Sequence, residues 1–481
     1  ELMEKKICVI LLGLVLFLIG CSDFTEIDPK GKNILNRVEE LDLLLNYNYS
    51  LYAPEASYFV NDCYVQLTNI PALLNETIKT NKYAYFTWDE SVDRVALTES
   101  DRKYTSLYEM IGKVANPVLL NVDEASGDRG VAHALKAEAL VLRAWCHYLL
   151  VNFYAKAYDP ATAVHDEGIV YSKESDPIAT PNKKLSVAAV YELILKDLDA
   201  AFELESLSAL PEKMRIGLPF AYAVKAKVLM SMRDYDGAYA AAGESLKLKS
   251  TIDDYNQLLA PETMSGSGMI ELTRPLLTLE EELFETPSRL IYEAWTPELW
   301  EAFEENSVFK NYIMTDVRLR GYPVMGNTFY GLNIACSYSL NVYYSSMGLS
   351  TVDMYLVRAE CEIRKGKIDE AMDMLNLIRE KRILTGKYVA KEAVSEADAF
   401  VLLKNISRTE NFATVKTYIN LKRWNTEEAY KETLHRKVEY TKDGQDVVKE
   451  YSLSPDSPLW VFPFPQNATN FNPNLTQNYG L

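Results

Sequence analysis

The chain has 481 residues, of which 48% are hydrophobic and 25% are charged. These values are ordinary for a folded globular protein, and they exclude a collagen, a disordered tail protein and a membrane protein with many spans. Acidic residues number 68 against 50 basic ones, and the net charge of −18 excludes binding of nucleic acid through a basic surface.

Residues 1–20 predict a secretory signal. Lys5 and Lys6 precede an apolar run from Ile7 to Ile19. A membrane-spanning helix needs about 20 apolar residues, so this shorter run behind lysines is typical of a signal peptide. The run ends at Gly20 and Cys21, which resembles a bacterial lipobox. We therefore expect cleavage after residue 20, acylation (palmitate) of Cys21, and a mature protein held at the membrane through its N-terminal lipid.

Most of the remaining chain predicts helix, because apolar residues recur at steps of three and four. This spacing holds from Leu142 to Phe153 and from Val187 to Ala201, where Ser186 is placed to cap the helix start. We interpret these stripes as helix packing. Helices are predicted near 104–124, 131–154, 187–205 and 393–406.

Two segments look like copies of one helix–turn–helix unit. One runs from Ala226 to Ala238 and the other from Ala359 to Ala371. Small residues at these positions let two antiparallel helices approach closely, as in tetratricopeptide repeats. Such units bury their apolar faces against neighbouring helices. The sequence therefore predicts a mostly α-helical fold, with a scaffold of tetratricopeptide-like hairpins.

Three regions break the helical pattern. Residues 46–100 mix Tyr, Asn and Thr with little period, and residues 251–346 carry glycines and many aromatic side chains. Near the C-terminus, Asp443 and Gly444 predict the turn of a short β-hairpin. Loops on a rigid scaffold often carry binding residues, so the first two regions are where we expect a ligand site.

The sequence offers little catalytic or metal-binding chemistry. It has four histidines and no HExxH, GxSxG or Walker A motif. Cys146 and Cys361 lie within helical apolar patterns and are predicted to be buried free thiols, since no CxxC spacing or nearby histidine favours a metal site. We therefore expect no enzymatic activity, no catalytic residues, no metal and no cofactor.

Three arginines lie in helical segments beside apolar neighbours: Arg143, Arg358 and Arg423. In such a place a guanidinium can tie packed helices together by binding a carboxylate. We predict that all three are structural; an anion-binding site is the alternative.

Six motifs in order along the chain, behind the lipobox, carry a family resemblance. They are Ala137–Tyr154, Val190–Ala201, Tyr355–Glu360, Met374–Arg379, Leu421–Trp424, and the tail formed by Phe462–Gln466 and Asn472–Asn478. Together they resemble the SusD/RagB family of outer-membrane nutrient-binding lipoproteins. The stretch from Arg408 to Asn420 departs from the family pattern, because a second Glu, a Gly and an Asp are missing. Residues 251–346 match no family motif.

The resemblance implies a mostly helical, SusD-like lipoprotein exposed at the surface of the outer membrane. It implies binding of a glycan and its delivery to a TonB-dependent transporter of the SusC type. A peptide or another nutrient is the alternative ligand, and a protein-interaction scaffold or a lipid-anchored hydrolase is the alternative function. The predicted organisation is a signal peptide (1–20), an N-terminal helical region (21–250), a loop-rich ligand-binding region (251–345) and a C-terminal region (346–481).

Sugars bind with their C–H faces on flat aromatic rings and their hydroxyls on amides, carboxylates and guanidinium groups. We predict that Trp88 and at least one of Trp295, Trp300 and Tyr330 contact a glycan; packing is the alternative for each tryptophan. The accompanying residues are Asn61, Asp62, Tyr64, Asn81, Tyr83, Tyr85 and Phe86 in the first region, and Arg320, Tyr322, Asn327 and Phe329 in the second.

Overall fold

The computed structural model describes residues 35–62, 70–74, 77–175, 181–212, 214–258, 280–289, 293–311, 335–337, 343–345, 347–412 and 414–479. The predicted signal peptide, Cys21 and Tyr330 lie outside these residues. The described chain is mostly α-helical, as the sequence predicts. None of its helices is long and apolar enough to cross a membrane.

The N-terminal part consists of helices of very different lengths. They are α1 (Val38–Leu45), α2 (Pro54–Phe59), α3 (Ile70–Leu73), α4 (Asn81–Thr87), α5 (Arg102–Glu109), a π-helical segment (Met110–Ala115), α6 (Asn116–Asn121), α7 (Arg129–Tyr154), α8 (Val187–Glu203), α9 (Leu218–Ser231) and α10 (Tyr235–Leu248). Ser186 caps α8 by accepting a hydrogen bond from the backbone of Ala189, as the sequence predicts.

The remaining elements include short strands and a second set of helices. They are α11 (Tyr255–Leu258), β1 (Pro287–Arg289), β2 (Glu293–Trp295), α12 (Pro297–Ala302), β3 (Ala335–Ser337), β4 (Tyr343–Ser345), α13 (Thr351–Arg364), α14 (Ile368–Glu380), α15 (Glu396–Asn411), α16 (Val415–Trp424), β5 (Leu434–Lys442), β6 (Gln445–Leu453) and α17 (Gln466–Phe471). Strand β1 pairs with β4, β2 with β3, and β5 with β6, each in the antiparallel direction.

The two predicted helix–turn–helix units are present as α9–α10 and α13–α14. Their four alanines, Ala226, Ala238, Ala359 and Ala371, are fully buried. Helix α10 also packs against α13, so the two similar sequence units stack directly on each other. This stacking buries the faces that a single unit would leave exposed to water.

Helix α7 lies at the centre of the core. Every residue from Ala137 to Tyr154 is buried, which is the pattern of a helix surrounded by neighbours. The C-terminal tail runs along its end, where the backbone N–H of Phe462 donates to the carbonyl of Phe153 at 2.9 Å and the Phe464 ring stacks on Tyr154. The tail therefore completes the core.

The β-hairpin near the C-terminus is confirmed. Asp443 and Gly444 have φ values of 52° and 76°. Two consecutive positive φ values form the turn whose twist matches that of paired strands, and this conformation favours Asp-Gly.

Buried ion pairs join the helices. Arg143 on α7 makes two contacts of 2.7 Å with Asp197 on α8, and Arg423 on α16 binds Glu360 on α13. Both arginines hold a carboxylate, as expected. Arg358 on α13 also joins a packed helix, but its partner is the ring and hydroxyl of Tyr239 on α10 in place of the expected carboxylate.

The two cysteines predicted to be buried thiols are confirmed as such. Cys146 on α7 and Cys361 on α13 are both free and buried. Burial raises the pKa of the Cys361 thiol to about 12, so it is a protonated apolar group at neutral pH.

Candidate functional site

Trp88, the first predicted ligand residue, lies in the core. It ends helix α4 with a left-handed backbone (φ 54°), and its side chain is 5% exposed. The indole N–H donates to the carbonyl of Phe59 at 3.0 Å, and the Arg436 guanidinium lies 4.3 Å from the ring centroid. The ring therefore packs in the protein interior against Arg436. Among the described residues it has no open face for a sugar, so packing, and not ligand contact, describes its position.

Arg436 on β5 explains why this aromatic group is internal. Its guanidinium donates to the side-chain oxygen of Asn61 at 2.7 Å and to the carbonyl of Tyr58 at 2.6 Å. It also donates to the carbonyls of Tyr85 and Phe86. These three carbonyls lie in the last turns of the short helices α2 and α4, where the helix leaves them without a partner, and a guanidinium with five donors can satisfy several of them at once.

The second predicted group begins at the short helix α12. Thr296 caps this helix by accepting from the backbone N–H of Leu299, and Trp300 on it is half-buried. The Lys310 ammonium lies 4.9 Å from the Trp300 ring centroid. Trp295 is on β2, with its backbone opposite Ala335; its side chain and Tyr330 lie outside the described part of the chain.

The structure brings the two predicted regions together at their backbones. The Thr296 hydroxyl donates to the carbonyl of Asn61 at 2.5 Å, and the Thr296 N–H donates to the carbonyl of Asp62 at 3.1 Å. Arg408 on α15 binds the Asp62 carboxylate at 2.7 Å and the Asn61 carbonyl at 2.8 Å. We call this meeting point of residues 61–62, Thr296–Trp300 and Arg408 the α12 junction.

Sequence reasoning missed Arg408 as part of this site. It lies in the stretch that departs from the family motif, and nothing in its local pattern indicates contact with residues far earlier in the chain. Its partner Asp62 was named beside the first aromatic group. The sequence therefore suggests Asp62 as a site residue, but it gives no indication that Arg408 binds it.

Two carboxylates at the α12 junction have acceptor capacity left over. Asp62 is fully buried, and burial raises its pKa although the charge of Arg408 lowers it in part. Among the described residues, Asp62 Oδ2 and Glu298 Oε2 are buried without a hydrogen-bond partner. Such atoms are costly unless a donor reaches them; Asp62 is fully buried and so lies out of reach of a ligand hydroxyl.

A cavity of about 70 Å³ lies between α12, α14 and α15. One wall is aromatic: the rings of Phe303 and Phe309 stack with centroids 5.4 Å apart, and Phe412 lies 4.9 Å from Phe309. The other wall is charged, with Arg379 bound to Glu304 at 2.6 Å. The cavity is far smaller than the roughly 300–1,000 Å³ of a typical ligand pocket, so these rings pack between the helices and leave no room for a sugar.

No group of three or more His, Cys, Asp or Glu side chains in the described ranges is arranged to hold a metal ion. His147 is buried; its Nε2 accepts from the backbone of Ser172, and its ring stacks on Tyr171. Burial lowers the pKa of His147 to about 3, so this histidine is a neutral part of the core.

Comparison with known families agrees with this architecture. A SusD-like family model described as "Starch-binding associating with outer membrane" matches residues 34–230, and the SusD family model, SusD/RagB, matches residues 351–480. The two matches together span more than half of the chain and flank the loop-rich region. The chain therefore belongs to the SusD/RagB family, as its motifs predict. A search of curated protein sequences finds no match.

Solved structures show the same fold. A SusD superfamily protein from Bacteroides thetaiotaomicron is 16% identical, with a TM-score of 0.65 over 92% of this chain and 100% of its own. A SusD-like carbohydrate binding protein from Bacteroides vulgatus is 14% identical, with a TM-score of 0.64 over 93% of this chain and 98% of its own. Surface glycan-binding protein A from B. thetaiotaomicron, in complex with laminarihexaose, is 12% identical, with a TM-score of 0.61 over 92% of this chain and 98% of its own.

Proposed function

We propose that this chain is a glycan-binding lipoprotein of the outer-membrane surface, which hands an oligosaccharide or polysaccharide to a TonB-dependent transporter of the SusC type. The observation that carries the proposal is membership of the SusD/RagB family on both sides of the loop-rich region. A similar structure holds laminarihexaose, which supports a glycan rather than a peptide as the ligand.

The α12 junction is the proposed place of binding. Trp300 is half-buried on a helix that starts at the junction, and Glu298 on the same helix has a carboxylate oxygen without a partner in the described chain. A ring for stacking and an acceptor for a hydroxyl thus lie on one short helix. Trp295 and Tyr330, in the same loop-rich region, are proposed to complete this surface. Trp88, which is buried, is proposed to support this surface from the protein interior and not to contact the glycan.

The role of the protein is proposed to be capture rather than cleavage. At the α12 junction Thr296 caps helix α12, and Asp62 is held by Arg408. A captured glycan then needs a protein that moves it across the membrane. Lipid on Cys21 would hold the chain beside the transporter, since acyl chains anchor a protein without spanning the bilayer.

The test is native gel electrophoresis of the mature chain in gels containing starch, laminarin, mannan, arabinan or xylan. The proposal expects retardation by at least one neutral polysaccharide, relative to the same gel without it. Calorimetric titration with a peptide digest is the second arm. Binding of peptides with no retardation by any polysaccharide would overturn the glycan assignment. For the transporter, we expect a large outer-membrane protein to co-purify from mild detergent extracts of cells expressing both.

A further inference from the structure

A second, larger cleft lies where the C-terminal tail meets the end of α7. Its volume is about 500 Å³, within the range typical of ligand pockets. Its walls come from the loop at 156–166, the end of α16 and the following turn, and two parts of the tail. It shares no lining residue with the cavity at α12. We call it the tail cleft.

The floor of the tail cleft is held rigidly by Lys422. This side chain is buried, and its ammonium donates to the carbonyls of Asn152 and Ala155, both at 2.6 Å. These two bonds fasten α16 to the end of α7 and satisfy carbonyls that the helix end leaves unpaired. The cleft is therefore built on two fixed helices.

Two donor groups at the tail cleft have no partner within the described part of the chain. Asn425 is 9% exposed; its Oδ1 accepts from the backbone of Glu432, but among the described residues its Nδ2 binds nothing. The Tyr479 hydroxyl is also buried without a described partner, while its ring lies under the Arg94 guanidinium at 4.7 Å. A buried donor left unsatisfied costs about 1–3 kcal/mol, so both groups favour a ligand that brings acceptor oxygens.

The charges around the tail cleft are close to balance. Lys156 binds Asp166 at 2.9 Å, and Lys431 binds Glu428 at 2.6 Å. The remaining charged residues of the lining are Lys422, Asp159 and Asp456. A lining of this kind has no excess of positive charge for a phosphate, and its carboxylates can accept from hydroxyl groups. The tail cleft therefore suits a neutral molecule that both donates and accepts hydrogen bonds.

We propose that the tail cleft is a second binding site, for a neutral, hydroxyl-rich ligand of about the size of a disaccharide. The Asn425 amide and the Tyr479 hydroxyl donate to ligand oxygens, and the lining carboxylates accept from its hydroxyls. The site is separate from the α12 junction, so a test of the tail cleft does not depend on whether the glycan site proposed at the junction is correct.

The test uses saturation-transfer NMR on the mature chain with maltose, cellobiose, laminaribiose and sucrose, and with inorganic phosphate and glycylglycine as charged probes. The proposal expects saturable binding of at least one disaccharide. Tyr479→Phe, which keeps the ring on Arg94, and Asn425→Asp, which replaces the amide donor with a charged carboxylate oxygen, should each weaken it about 3- to 10-fold. Melting curves establish that the variants fold; if Asn425→Asp does not, Tyr479→Phe decides.

The matched control is Tyr222→Phe on α9, whose ring stacks on Phe202 and lines neither the tail cleft nor the cavity at α12; it should leave this binding unchanged. The proposal is overturned if no disaccharide saturates, if phosphate or glycylglycine binds more tightly, or if folded Tyr479→Phe keeps full affinity. Disaccharide binding lost in Trp300→Ala and kept in Tyr479→Phe would place the ligand at the α12 junction, overturning the tail-cleft site while leaving the proposed function intact.

Discussion

The carboxylate of Glu360 on α13 faces the guanidinium of Arg423 on α16 through two contacts of 2.7 and 2.6 Å. Arg364 and the indole N–H of Trp424 also donate to the same carboxylate. Burial of Glu360 raises its pKa, but the charges of Arg423 and Arg364 outweigh burial and lower it to about 2. The buried carboxylate of Glu360 thus joins the α13–α14 helical hairpin to α16, the helix that precedes strands β5 and β6.

The first prediction concerns acid stability. The pKa of Glu360 is about 2 in the folded chain against an ordinary 4.5, so its contribution to stability is present above pH 4.5 and is lost as the pH falls toward 2. Glu360→Gln should lower the free energy of unfolding by about 3 kcal/mol at pH 7. Urea unfolding at pH 7 and pH 3 should show the gap to the unchanged protein narrowing in acid. A gap of equal size at both pH values would contradict the ion pair.

The second prediction separates two arginines that look alike in sequence. Arg143→Ala leaves the buried Asp197 carboxylate without its cation, which should cost about 3–5 kcal/mol. Arg358 rests on Tyr239 and is partly exposed, so Arg358→Ala should cost only about 1 kcal/mol. Thermal melting of the two variants, each with its Lys counterpart as a control, checks the order. Equal losses of stability in the two Ala variants would show that a buried carboxylate partner does not determine how much an arginine contributes.

The third prediction concerns Trp88. Because its ring is buried against Arg436 and its N–H is bonded, Trp88→Ala should destabilise the chain by about 3–5 kcal/mol, and Trp88→Phe by less. Urea unfolding gives these values. The folded Trp88→Phe protein should bind its glycan with unchanged affinity. A variant that is fully stable but has lost the glycan would show that Trp88 contacts the ligand.

The fourth prediction concerns the N-terminus. Expression in a Gram-negative host with a radiolabelled fatty acid should label the protein and place it in the membrane fraction. Cys21→Ala should abolish labelling and release the chain, because the acyl chains are the proposed anchor. Cys146→Ala, which removes a buried thiol, is the matched control and should remain labelled. Equal labelling of both variants would reject Cys21 as the modified residue.

Local patterns predicted the parts of the fold that depend on local physics. The alanine spacing at Ala226 and Ala359 gave both hairpins, and Asp443-Gly444 gave the β-turn, because close helix approach and positive φ are properties of a few neighbouring residues. That the two hairpins stack on each other depends on tertiary packing, which a single window of sequence does not contain.

The candidate site was only partly predictable for the same reason. Trp88 stands in an irregular, polar stretch that favours an exposed ring, but Arg436, from a strand near the other end of the chain, covers it. Arg408 likewise reaches Asp62 from a distant helix. Sequence composition named both regions as candidates, whereas long-range hydrogen bonds and ion pairs bring them together and place some of their side chains inside.

The most direct test of glycan binding at the α12 junction is calorimetric titration of Trp300→Ala against the unchanged protein, with the polysaccharide that retards it most in native gels. Glu298→Gln, Trp88→Phe and Tyr479→Phe serve as companions, and melting curves verify folding. We predict that Trp300→Ala weakens binding about tenfold or more, with Trp88→Phe and Tyr479→Phe unchanged. Full affinity in a folded Trp300→Ala protein would contradict the placement of the glycan at this helix.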